Sequence, residues 1–107
     1  MTDPRIHAFD EWLSAERGAS AHTRRAYTHT LGRLSAFCDE AGLDLDDLRP
    51  LHLRTCLVRM ADGTAPATLA RHIAALRTFY DWREREGALD GGSPARGLRG
   101  PRAGRRR

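Results

Sequence analysis

Between Ser20 and Gly42 the chain runs SAHTRRAYTHTLGRLSAFCDEAG. Ser20 is a helix-capping residue type, and Gly42 suits the left-handed position that closes a helix. Between them Tyr27, Leu31, Leu34 and Cys38 fall within about 60° of arc at 3.6 residues per turn, and Phe37 widens the stripe. This spacing predicts one long amphipathic helix with no acidic residue from Ser20 to Cys38.

The same punctuation recurs on either side. Asp3 followed by Pro4 starts a first helix, with Ile6, Phe9 and Leu13 on one face, Trp12 at the edge and Gly18 as the stop. A third helix opens at Pro50 and runs to about Ala61, carrying Leu53, Cys56, Leu57 and Met60 on its apolar side. A fourth starts at Pro66 and ends at Gly87, with Leu69, Ile73, Leu76 and Tyr80 on one stripe and Phe79 beside it. Ala95 to Leu98 is a candidate short fifth helix. The Leu-Asp alternation from Leu43 to Leu48 reads as a connector. With no strand signal, the expectation is an all-α protein, a bundle of four to five helices with short connections.

Composition sets the class. The 107 residues suit one domain, and an apolar fraction of 40% is enough for a modest core. Cys38 and Cys56 have no metal-like spacing and read as free thiols of a reducing, cytoplasmic compartment. No apolar run approaches a membrane span, and no signal-peptide core is visible. All 18 basic residues are arginine. Six of them lie among the last twelve residues, whereas residues 1–95 carry twelve arginines against all fourteen acids, a net of −2. The high isoelectric point therefore belongs to the tail, and bulk charge does not make the body a nucleic-acid binder.

Local pattern carries that case instead. On the second helix His22, Arg25, His29 and Arg33 stand about 180° from the apolar stripe. On the fourth, which is acid-free from Thr64 to Tyr80, the outward side is expected to carry Ala67, Arg71, Ala74, Ala75 and Thr78. Most acids lie elsewhere, on the first helix and from Asp39 to Asp47. Arginine forks match phosphate and guanine edges, small alanines let a helix approach a groove, and helix starts offer free N–H groups. The same faces also fit ordinary solvated helix surface.

Ser20-Ala21-His22-Thr23, Tyr27, Leu31, Leu34 and Phe37 resemble the S-x-x-T-x-x-x-Y helix of the tyrosine site-specific recombinases. Ala67-Thr68-Leu69-Ala70-Arg71 and Ala75-Leu76-Arg77-Thr78-Phe79-Tyr80-Asp81-Trp82 resemble a second family block, and here His72 stands where the usual arginine would. Glu86-Gly87, Pro94-Ala95-Arg96-Gly97-Leu98 and Pro101-Arg102 resemble its exit segment. Together the blocks cover nearly the whole chain, and Asp81-Trp82 with the overall spacing is similar to the Xer-type branch. Ser93 replaces the usual Asn before Pro94, Gly91-Gly92 loosens that turn, and Arg49 replaces a Ser or Thr cap before Pro50.

The resemblance implies a SAM-like orthogonal helical bundle over residues 1–98, the core-binding domain, with residues 99–107 as a basic interdomain linker; the Gly, Pro and Arg composition after Gly100 reads as disordered when free. It implies half of a C-shaped clamp, the second and fourth helices gripping a half-site of double-stranded DNA, and a partner recombinase of the same family. It also implies that the catalytic residues belong to a further domain. This chain is then no enzyme by itself, needs no cofactor or metal, and is expected to be monomeric. The string His22-Thr23-Arg24-Arg25 matches a His-x-x-Arg box by coincidence.

The DNA-binding candidates are His22, Thr23, Arg24, Arg25, His29, Arg33, Thr68, Arg71, His72, Arg102 and Arg105. Thr23 and Thr68 fit equally as local helix-start hydrogen bonders. Arg77 is placed to pair with Asp81 at i+4. Trp82 is expected on the outward side of the fourth helix, against a fifth helix or a partner subunit. The competing function is a protein-interaction module using Trp82 or the acidic side.

Overall fold

A computed structural model describes residues 3–99. It contains four α-helices, α1 (Pro4–Ala15), α2 (Ala21–Ala41), α3 (Pro50–Ala61) and α4 (Pro66–Arg85), and one 3-10 turn, Leu45–Asp47. No strand occurs among the described residues. The expected tail, with Arg102 and Arg105, lies outside them. The chain divides at Leu45/Asp46 into two compact units.

In the first unit α1 packs on α2. Asp3 caps α1 by accepting the Arg5 N–H at 2.8 Å. Ser20 caps α2 by accepting the Thr23 N–H at 3.1 Å. Gly42 takes φ 70°, which lets the Leu43 N–H reach back to the Cys38 carbonyl at 2.9 Å and close α2. Ile6, Phe9, Leu13, Leu31, Leu34, Phe37, Cys38 and Leu45 are buried. Tyr27, at the start of the α2 stripe, is only half-buried.

In the second unit α3 packs on α4, with Leu53, Cys56, Leu57 and Met60 buried on α3. Arg49 lacks a capping acceptor, but His52 supplies one from the third helical position. Its Nδ1 accepts the Arg49 N–H at 3.0 Å. Asp46 in the 3-10 turn is clamped to α4 by Arg83, through Nε at 3.0 Å and Nη2 at 2.6 Å.

Four expectations for this unit are corrected. Ala95 to Leu98 forms a turn, not a fifth helix; Gly91, Gly92 and Pro94 around it leave too short a run to propagate one. Ser93, standing where the family has Asn, accepts the Ala95 N–H through its Oγ at 3.1 Å. Trp82 is buried, tilted against Phe79 with ring centroids 6.0 Å apart, and the Arg83 guanidinium sits 5.4 Å from its ring. Ala75 is buried too. Both lie on the border of an α4 apolar arc that is wider than one stripe. Arg77 does not turn to Asp81; its Nη1 donates to the Leu98 carbonyl at 3.4 Å and ties the exit segment to α4.

Candidate nucleic-acid interface

On α2, His22, Arg25, His29 and Arg33 are all exposed. Steps of three and four residues place them in one row along the helix. The row is acid-free until Asp39 and Glu40.

Arg24 behaves differently from its neighbour. Its Nε and Nη2 donate to the two Asp10 oxygens at 3.0 and 2.9 Å, a two-pronged pair between α2 and α1. The Arg24 hydrogen bonds hold the Asp10 carboxyl below its ordinary range, and the Asp10 hydrogen bond raises Arg24 further above its own. Arg24 is thus committed inside the protein, and what it does for the surface is cancel the charge of Asp10. Asp3 is handled the same way: hydrogen bonds from Arg5 hold its carboxyl low. Arg5 also bridges to Asp44 at 2.8 Å.

Thr23 serves the helix start, its Oγ1 lying 3.1 Å from the Ser20 hydroxyl. Thr28 hydrogen-bonds back to the Arg24 carbonyl at 2.9 Å. A groove of about 560 Å³ follows α1 and α2, lined by Arg25, His29 and the small residues Gly32, Ser35 and Ala36. Asp3, Asp10 and Asp39 also line it. Gly32 escaped sequence reasoning. A Cβ there would meet nothing within 4 Å, so nothing inside the protein requires a glycine in mid-helix. A glycine interior to a helix with no packing reason was the available signal.

On α4, Ala67, Ala70 and Arg71 are exposed, and Thr68, Ala74 and Thr78 are half-buried. His72 is corrected: only 6% of it is exposed, so it does not face solvent beside Arg71. The one-residue shift of the arginine relative to the family pattern therefore puts the cation outside and the imidazole inside. The N-cap of α4 is Ala65, whose side chain makes no capping bond. The positive end of this helix lacks the side-chain acceptor that Ser20 gives α2. Arg99 is exposed.

Among the described residues no group of three or more His, Cys, Asp or Glu side chains is placed to hold a metal ion, and no helix is long and apolar enough to cross a membrane. Cys38 and Cys56 are buried and unlinked.

The profile of the family "Phage integrase, N-terminal SAM-like domain" matches residues 6–87. The chain is 46% identical over 103 residues to a tyrosine recombinase XerC of Mycobacterium sp. (strain KMS), covering 94% of this chain and 34% of that protein. It is 44% identical over 101 residues to the tyrosine recombinase XerC of Mycobacterium tuberculosis (strain ATCC 25177 / H37Ra), with the same coverage of 94% and 34%. The chain thus spans about a third of the length of these relatives. No solved structure gives a significant match.

Proposed function

We propose, from the premise that this chain belongs to the phage integrase N-terminal SAM-like domain family, that it grips a recombination half-site through the outward faces of α2 and α4. The observation that carries this is the exposed row His22, Arg25, His29 and Arg33 on a helix with no acid from Ser20 to Cys38. A polyanion laid along that row meets two guanidinium forks and two imidazoles. Small residues beside the row keep the helix backbone within reach of a groove.

Arg25 and Arg71 are the principal contacts in this reading. His22, His29 and Arg33 extend the first, and Thr68 with the uncapped first turn of α4 receives a phosphate beside the second. Thr23 contributes from the α2 start. Arg24 acts indirectly by neutralising Asp10, and Arg102 and Arg105 add contacts that do not discriminate sequence.

As in the relatives called tyrosine recombinases, the parent molecule would break and rejoin DNA strands with a domain outside this chain. It would work in the cytoplasm as a C-shaped clamp, with that domain on the other face of the DNA and a XerD-like partner recombinase in a synaptic tetramer. This chain alone would bind without reacting.

Fluorescence anisotropy with a labelled duplex carrying a Xer half-site tests the reading. Affinity should fall steeply with salt, and Arg25→Ala should flatten the log–log slope by about 0.9, one phosphate contact's worth. A folded chain that fails to bind even at low salt would refute it. So would amide shifts that cluster on α1 and leave α2 and α4 unmoved.

A further inference from the structure

The second unit carries an apolar groove that the DNA reading does not use. It holds about 430 Å³ between α3, α4 and the exit segment. Leu57, Ile73 and Leu98 reach its floor while keeping 8, 7 and 7% exposure, and Leu69 completes it. Val58, 72% exposed, forms a wall. Among the described residues its charged lining side chains are Arg54 and Arg99, with no carboxylate beside them. Asp62, just past α3, is the nearest acid along that helix.

Among the described residues Val58 and Leu51 are the two large hydrophobic side chains left exposed. They are seven residues apart on α3, hence within about 20° of one face and about 10 Å apart along the axis, two helical turns. Val58 lines the groove, and Leu51 lies beyond its lining on the same face of the helix. A phosphate backbone would satisfy Arg54 and Arg99 but would leave the leucine and isoleucine floor wet. An apolar, neutral segment would cover the floor and leave both guanidiniums without counter-charge. Only a ligand with both properties uses the whole groove.

We infer that this groove docks an amphipathic helix of a partner protein, with two or three aliphatic anchors on one face and glutamates or aspartates flanking them. Leu57, Val58, Leu69, Ile73 and Leu98 receive the anchors, and Arg54 and Arg99 pair with the acids.

The test uses the isotope-labelled chain and two synthetic helical peptides that share leucines at i, i+3 and i+7. One carries Glu at the flanking positions and the other Lys. The Glu peptide should shift the amides of Leu57, Val58, Leu69, Ile73 and Leu98, and the Lys peptide should bind about ten-fold more weakly. Val58→Glu should abolish binding with an unchanged melting curve, since the side chain is exposed. Arg54→Glu should reverse the peptide preference, which a merely sticky surface would not do. Equal affinity for both peptides, no shift with either, or shifts elsewhere would overturn the inference. Groove shifts produced by duplex DNA alone would do the same, as would a dimer of the free chain that Val58→Glu dissolves, because the occupant would then be of another kind.

Discussion

Arg24 and Arg25 are adjacent, identical in chemistry, and used differently. The step of about 100° between consecutive helical residues sends Arg24 to Asp10 and leaves Arg25 in solvent. A pairing across fourteen residues leaves no mark in local pattern, which is why both arginines read alike from sequence. The pair has a pH signature. Asp10 and Asp3 both have lowered carboxyl pKa values in the folded chain. Such groups stabilise the fold fully above the unfolded carboxyl value of about 3.9, and that contribution is lost as pH falls through the lower folded values. Asp10→Asn should therefore lower the melting temperature at neutral pH. The deficit should shrink in acid and vanish once the wild-type carboxyl is protonated; a deficit constant across that range would mean that packing, not the ion pair, is what was lost. Gly32 gives a second residue-scale expectation. Since a Cβ meets nothing there, Gly32→Ala should stabilise α2 by about 0.5–1 kcal/mol. If DNA approaches that face closely, the more stable variant should nevertheless bind the half-site less tightly. Equal or tighter binding would place the groove floor away from DNA.

At the scale of elements, helix boundaries were legible because they are chemically punctuated. Asp3-Pro4, Ser20, Gly42, Pro50 and Pro66 each act through backbone geometry or a local hydrogen bond, and all four starts fall where expected. The width of each buried face was not legible. Periodicity locates the centre of an apolar stripe, but how far it spreads depends on what else covers the helix. On α4 it spreads far enough to take in His72, Ala75 and Trp82. The uncapped start of α4 offers a test in which stability and function move in opposite directions. Ala65→Asp supplies the missing acceptor and a negative charge at the positive end, so it should stabilise the helix by about 1 kcal/mol. The same charge would occupy the place proposed for a phosphate, so half-site affinity should drop. A variant that melts higher and binds as well as the wild type would remove the α4 start from the interface.

At the scale of the whole molecule, two sources of positive charge compete to explain DNA binding. Residues 1–95 are net negative, yet His22, Arg25, His29 and Arg33 share one exposed face of α2, while the sequence after Gly100 is basic with no acid in it. The two sources differ in what they can sense. Charge with no fixed spacing to match registers phosphate density and little else, whereas a row fixed on a helix registers the spacing and groove of one duplex. Ending the chain at Arg99 removes Arg102, Arg105, Arg106 and Arg107. Binding should then weaken for every duplex alike, with the salt slope flattened by at most about 3.6, four phosphate contacts. The ratio of half-site to random-duplex affinity should stay the same, because the α2 row and Arg71 on α4 remain. Competition binding with the two duplexes measures that ratio directly. A shortened chain that still binds but no longer prefers the half-site would locate recognition in the tail, and the sorted charge of the folded body would then be ordinary solvated surface.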